Sequence, residues 1–97
     1  MKKKPFTPIS DLGEFNLIRK ITQGVKIRHE STKEGIGDDA AVIRRTKEVD
    51  QLITTDMLIE GVHFNPVYCP LKHVGYKALV VNVSDICAMN GQATHAL

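Results

Sequence analysis

The apolar segment at residues 71–89 constrains this 97-residue chain most, because it contains no proline and is followed by Gly91 and Gln92. Within it, residues 79–83 are rich in β-branched side chains and by composition alone would suit a buried strand. The length of the segment and its content of residues such as Lys77 and Ala88 favour a single helix instead. Apolar side chains occur on nearly every side of that helix, which predicts that it is buried in a core.

One stripe of this predicted helix carries polar side chains among apolar neighbours. At about 100° per residue, Asn82 and Asp85 share a stripe with Val74, Ala78 and Met89. A buried carboxylate needs a partner to offset the loss of its hydration. Three interpretations stay open: the stripe contributes to a functional site, the stripe faces solvent, or Asp85 caps a neighbouring element.

The remaining periodicity predicts short elements on either side of polar connections. A first helix is expected from a cap at Ser10 or Asp11 to about Gly24, with Glu14 as the acidic residue of its first turn. Its apolar stripe comprises Phe15, Leu17, Ile18 and Ile21. The polar residues 26–35 are expected to form a flexible loop. Strands are predicted at residues 40–44, 51–56 and 59–64, and residues 93–97 could begin another. Pro66 and Pro70 bracket an irregular connection.

Composition and charge exclude several classes of protein. The chain is 42% hydrophobic and 25% charged, as in ordinary globular domains, and its net charge of +2 is too balanced to imply a nucleic acid or an anionic membrane as partner. No segment reaches the roughly 18 consecutive apolar residues of a membrane helix. Residues 1–10 are expected to be a flexible basic terminus without the apolar core of a signal peptide. Cys69 and Cys87 are expected to be buried free thiols in a reducing cytoplasm, with a disulfide between them as the alternative.

Three acidic motifs each adjoin an apolar element. They are residues 35–41, which contain two glycines with Asp38 and Asp39; residues 54–56, which end in Asp56; and residues 82–85, which end in Asp85. Each motif alone has a structural explanation as a turn, a strand-end cap or a solvated helix face. Together, clustered oxygen ligands without thiolates favour Mg²⁺-assisted phosphoryl chemistry over a zinc site. The sequence carries no P-loop and no protein-kinase signature, which excludes those two classes of kinase.

The motifs follow one another in a distinctive order. That order is Gly13-Glu14-Phe15, Gly35-Ile36-Gly37-Asp38-Asp39-Ala40-Ala41, Thr54-Thr55-Asp56, Gly61-Val62-His63-Phe64, Gly75-Tyr76-Lys77-Ala78-Leu79 and Val81-Asn82-Val83-Ser84-Asp85. The ordered set resembles the beginning of the thiamine-monophosphate kinase family, although no single motif in it is specific. The family belongs to the ATP-binding superfamily of aminoimidazole ribonucleotide synthetase and selenophosphate synthetase.

The resemblance implies a fold, a reaction and an assembly. The fold would be α/β, the N-terminal part of an aminoimidazole ribonucleotide synthetase-like domain, with a mixed sheet, flanking helices and strands that pair across a homodimer. Residues 11–97 would be an incomplete ATP- and Mg²⁺-binding domain, with a Gly-Gly-Asp motif and a C-terminal domain beyond Leu97. The reaction would transfer the γ-phosphoryl group of ATP to thiamine monophosphate, giving thiamine diphosphate, and the 97 residues would be inactive alone.

The resemblance also implies roles for individual residues. The Mg²⁺ ligands would be Asp39, Thr54, Thr55, Asp56 and Asp85. His63 would contact the substrate, and Asp38 would adjoin the ligands without being one. The turn after the helix departs from the Met-Gly-Ala pattern usual in the family, since it reads Met89-Asn90-Gly91-Gln92.

Two alternative functions remain at this point. The chain could belong to another member of the same superfamily, such as selenophosphate synthetase, but no cysteine precedes Cys69 and the residues 61–64 favour the thiamine enzyme. Alternatively, it could be a non-catalytic dimerisation or nucleotide-binding module, in which unpaired strand edges drive self-association.

Overall fold

The computed structural model describes residues 6–97, in which two helices accompany a small sheet. In chain order the elements are α1 (Ile9–Thr22), β1 (Thr32–Glu34), β2 (Ala41–Arg44), β3 (Asp50–Ile53) and α2 (Leu71–Ala88). The expected α/β class is therefore confirmed. Within the described residues, however, the sheet is wholly antiparallel rather than mixed, in the order β1-β2-β3.

The central strand β2 organises the sheet. It pairs with β3 in regular register, from Ala41 opposite Ile53 to Arg44 opposite Asp50. The turn between them is held by Thr46, whose Oγ1 accepts the backbone N–H of Val49 at 3.0 Å. Both strands were predicted, but β3 ends at Ile53 and not at residue 56. Residues 54–56 therefore follow the strand instead of forming part of it.

The edge strand β1 lies in the segment predicted to be a loop. Its sequence, Thr32-Lys33-Glu34, has no apolar alternation, and its register with β2 is irregular between Thr32 and Glu34. Backbone pairing with β2 holds it, assisted by an ion pair between Lys33 and Asp50. Because neither interaction leaves a hydrophobic pattern in the sequence, periodicity missed this strand.

Two further predicted strands are absent from the described part of the chain. Residues 59–64 form turns, in which the backbone N–H groups of Val62 and His63 both bond to the carbonyl of Ile59 and Gly61 adopts a φ of 79°. That conformation suits glycine and interrupts an extended strand. Only an isolated bridge joins Glu60 to Phe64. Residues 93–97 have no regular structure, and the connection across Pro66 and Pro70 is irregular, as predicted.

Helix α1 differs from its prediction at the N-terminus. The helix begins after Pro8 rather than after a cap at Ser10 or Asp11, and the described residues supply no side-chain cap. Asp11, not Glu14, is the acidic residue of its first turn. Gly13, at φ 69° and ψ 170°, breaks the helical path, which a residue without Cβ does most readily. Of the predicted flexible terminus, residues 1–5 lie outside the described part, whereas residues 9 and 10 belong to α1.

Helix α2 is the single helix that its sequence predicted, and it ends in a closed turn. Asn90 adopts the left-handed conformation at φ 57°, and the N–H of Gly91 bonds to the carbonyl of Ile86 at 3.0 Å. This is the Schellman arrangement, in which asparagine can replace the usual glycine. The burial predicted for α2 is wrong: none of its residues, all of them described, is buried, and Leu71 is 82% exposed.

Little of the described structure is shielded from solvent. Ala40 is the one buried apolar residue within residues 6–97. The radius of gyration is 17.7 Å, whereas a compact domain of this length has about 12–13 Å. The two cysteines are free, as predicted, but Cys69 is half-buried and Cys87 exposed, so their predicted burial is wrong. No helix in the described part of the chain is long and apolar enough to cross a membrane.

Candidate functional site

Three of the predicted site residues meet where β2 begins and β3 ends. Asp39 lies just before β2 and Thr54 just after β3, and the antiparallel pairing of Ala41 with Ile53 brings these two positions side by side. Thr54 Oγ1 donates to the backbone carbonyl of Asp39 at 3.0 Å. The same Oγ1 lies 3.5 Å from Oδ2 of Asp85 in α2. We call these three residues the acidic junction.

The acidic junction explains the polar stripe of α2. Asn82 and Asp85 are both half-buried, as are Val74 and Met89, whereas Ala78 on the same stripe is exposed, so the stripe is only partly shielded from solvent. Asp85 turns its carboxylate towards the hydroxyl that follows β3. One stripe of α2 therefore joins the helix to the end of the sheet.

Asn82 holds its side chain along the helix, one turn before Asp85. Its Nδ2 donates to the carbonyl of Ala78 at 2.8 Å. Its Oδ1 is buried and has no hydrogen-bond partner among the described residues. The carboxamide thus places an unused acceptor on the same stripe as Asp85.

Asp38 serves the loop rather than the acidic junction. Its Oδ1 accepts the backbone N–H of the next residue, Asp39, at 2.9 Å. Gly37, at φ 136°, provides the preceding bend. The expectation that Asp38 adjoins the ligands without being one stays a prediction.

Thr55 and Asp56 are exposed and are not joined to the acidic junction by any hydrogen bond between described residues. Asp56 Oδ1 accepts the N–H of Met57 at 2.8 Å. Among residues 6–97, no three side chains of His, Cys, Asp or Glu are grouped closely enough to hold a metal ion. The full ligand set expected from the sequence therefore stays a prediction. The structure brings together the backbone carbonyl of Asp39, the hydroxyl of Thr54 and the carboxylate of Asp85.

His63 occupies a second place in the fold, a groove of about 370 Å³ between the 59–64 turn and α2. We call it the histidine groove, and its lining includes His63, Phe64, Tyr68, Cys69, His73 and Lys77. His63 Nδ1 accepts the backbone N–H of Ile59 at 2.8 Å. Lys77 Nζ donates to the backbone carbonyl of His63. Lys77 had no functional role in the expectations from sequence, in which it counted only towards a helix at this position.

Comparison with known proteins identifies the family of this chain. The model of the family described as AIR synthase related protein, N-terminal domain, matches residues 37–97. The thiamine-monophosphate kinase of Bacillus subtilis (strain 168) is 45% identical over 80 residues, which are 82% of this chain and 24% of that protein. The thiamine-monophosphate kinase of Haemophilus influenzae is 37% identical over 81 residues, 84% of this chain and 24% of that protein.

A third relative, the thiamine-monophosphate kinase of Corynebacterium glutamicum, is 39% identical over 90 residues, 92% of this chain and 25% of that protein. The chain therefore spans about a quarter of the length of the curated relatives that it matches. No solved structure matches the chain. These matches confirm the resemblance that the ordered motifs indicated.

Proposed function

This chain belongs to the AIR synthase related protein family, whose N-terminal domain it matches, and from that premise we propose that it takes part in the ATP-dependent phosphorylation of thiamine monophosphate to thiamine diphosphate. The names of its relatives support the reaction. The observation that carries the proposal is the acidic junction, where Asp39, Thr54 and Asp85 converge from three separate segments.

The donor atoms of the acidic junction fit Mg²⁺. They are carboxylate, hydroxyl and carbonyl oxygens, with no nitrogen or sulfur, which is the donor set that Mg²⁺ prefers. Asp39, Thr54 and Asp85 would hold the metal, with Thr55 and Asp56 supplied from the residues that directly follow Thr54. When bound, Mg²⁺ neutralises negative charge on the phosphate groups of the nucleotide.

The chemistry of the acceptor explains why acidic residues would line a site for anions. Thiamine monophosphate presents a phosphate oxygen that is already negatively charged, so its attack on the γ-phosphorus of ATP needs no strong general base. The barrier lies in bringing two anions together in the correct orientation. Carboxylates that recruit cations address this barrier, and His63 would orient the acceptor from the histidine groove.

We further propose that the active assembly is a homodimer. Strands β1 and β3 are the two edges of the sheet, and each has one side without a partner strand among the described residues. Large apolar side chains such as Phe15 and Ile21 in α1 and Leu79 in α2 are also exposed. Unpaired strand edges and exposed apolar faces favour association.

The first experiment is to read the coding region beyond the codon for Leu97 and assay its product. We expect an open frame that continues into a Gly-Gly-Asp motif and a second α/β domain. The longer product should form thiamine diphosphate and ADP from thiamine monophosphate and ATP with Mg²⁺, while the 97-residue chain should not. A stop codon directly after Leu97 would favour a non-catalytic binding module, and a longer product without turnover would refute the reaction.

A further inference from the structure

We infer that Lys77 is a positioning residue for His63 and that His63 presents its Nε2–H to the histidine groove as a hydrogen-bond donor. The inference rests on the proposed function only for the identity of the ligand that accepts this bond. The orientation of His63 itself follows from contacts within the chain.

The 59–64 turn holds the backbone of His63 firmly. The N–H of His63 donates to the carbonyl of Ile59 at 2.8 Å, and the N–H of Gly61 donates to the carbonyl of Phe64 at 2.8 Å. Gly61 supplies the positive φ of 79° that this path requires. The turn therefore carries its own hydrogen bonds, independent of any ligand.

The ring of His63 also accepts a hydrogen bond from the turn, and this bond restricts the ring to one tautomer. A backbone N–H can only donate, so the Nδ1 atom that receives the Ile59 N–H at 2.8 Å must be unprotonated. In the neutral ring the proton then resides on Nε2. The hydrogen bond made by one ring nitrogen thus sets the role of the other.

Lys77 joins this turn to helix α2. Its ammonium donates to the backbone carbonyl of His63. A charged donor from the middle of α2 therefore holds the backbone of His63 in place. Hydrogen bonds with an ionised donor are stronger than neutral ones. This bond reaches the backbone of His63 and not its ring, so through it Lys77 would act on a ligand of His63 by positioning that residue.

The consequence concerns the class of group that His63 binds. An Nε2–H donor selects an acceptor, such as a phosphate or hydroxyl oxygen, and offers no lone pair to a metal ion or to a proton donor. In the proposed reaction the acceptor would belong to thiamine monophosphate. His63 would therefore hold this substrate by donating a hydrogen bond, not by removing a proton.

The tautomer can be measured by imidazole ¹⁵N NMR on the ¹⁵N-labelled chain, which has four histidines. The signals of His63 are assigned by their loss in His63→Asn. We expect a protonated Nε2 and an unprotonated Nδ1 for His63. A ring that averages between both tautomers, or one protonated on Nδ1, would overturn the inference.

The role of Lys77 is tested by exchange of the Ile59 amide with deuterium. Lys77→Met, which keeps most of the stem and removes the charge, should accelerate that exchange about tenfold and increase tautomer averaging at His63. Lys77→Arg should restore protection, because arginine keeps a charged donor. Lys72→Met, on the first turn of α2, should leave both readouts unchanged. Equal effects of Lys77→Met and Lys72→Met would contradict a positioning role.

Two substitutions of His63 separate positioning from binding. His63→Asn can keep an acceptor near the Nδ1 position but loses the Nε2 donor, whereas His63→Gln can place an amide near Nε2 but loses the acceptor for Ile59. We expect His63→Asn to preserve Ile59 protection and weaken thiamine monophosphate binding. We expect His63→Gln to lose Ile59 protection and to weaken that binding less than His63→Asn does. Absence of thiamine monophosphate binding to every form, with the tautomer as expected, would count against the proposed substrate alone.

Discussion

The hydroxyl of Thr54 and the carboxylate of Asp85 lie 3.5 Å apart, although 31 positions separate the two residues in the chain. This proximity joins the end of the sheet to the stripe of α2 that contains both Asn82 and Asp85. Since the same hydroxyl donates to the Asp39 carbonyl, one side chain connects all three segments of the acidic junction.

Removing the Thr54 hydroxyl should loosen the acidic junction. Thr54→Val keeps the shape of the side chain but deletes both the donor to Asp39 and an oxygen that would hold the metal. We expect Mg²⁺ affinity to fall at least about 10- to 100-fold, the loss typical when even a group that only orients metal ligands is removed. Thr54→Ser keeps the hydroxyl and should remain near the parent chain. Isothermal titration with MgCl₂ distinguishes them, and equal affinities for the valine and serine variants would contradict the role of Thr54.

Neutralising the carboxylates should abolish turnover without unfolding the protein. In the full-length enzyme, Asp39→Asn, Asp56→Asn and Asp85→Asn each remove a negative charge that would hold Mg²⁺, so kcat should fall by orders of magnitude while the circular dichroism spectrum is retained. Asp11→Asn, in the first turn of α1, is the matched control with unchanged kcat. Near-native turnover in all three site variants would refute the metal assignment.

Removing the His63 ring should affect one substrate more than the other. We expect His63→Ala to raise the KM for thiamine monophosphate more than the KM for ATP, because the ring lines the histidine groove and not the acidic junction. Steady-state kinetics with each substrate varied in turn measures the two values. Equal increases would remove His63 from the substrate site.

Replacing Gly91 or Gly75 by alanine should change the free energy of unfolding in opposite directions. A Cβ at Gly91 would lie 2.4 Å from Leu52 Cδ1 and 3.1 Å from Ile86 Cγ2, so Gly91→Ala should destabilise the fold by about 1–3 kcal/mol. A Cβ at Gly75, inside α2, meets no described atom within 4 Å. Gly75→Ala should therefore stabilise the helix by about 0.5–1 kcal/mol. Urea unfolding measures both, and destabilisation by Gly75→Ala would contradict the open environment of that position.

Sequence patterns predicted the elements that depend on local physics. Helix α2 follows from its length and the absence of proline, and β2 and β3 follow from apolar residues on either side of a polar turn. The prediction failed where local rules do not decide the outcome. Strand β1 is held by pairing to β2 and has no apolar pattern in its sequence. Conversely, the positive φ of Gly61 prevents the apolar segment around it from forming a strand.

By itself, the sequence determined the α/β class, the order of the motifs and the family to which the chain belongs, because each depends on residue identity and local spacing. The tertiary structure alone decided which stripe of α2 is half-buried, that Thr54 connects Asp39 with Asp85, and that Lys77 holds the backbone of His63. These contacts join residues between 14 and 31 positions apart. Chain folding brings such residues together, and no local periodicity encodes their distance.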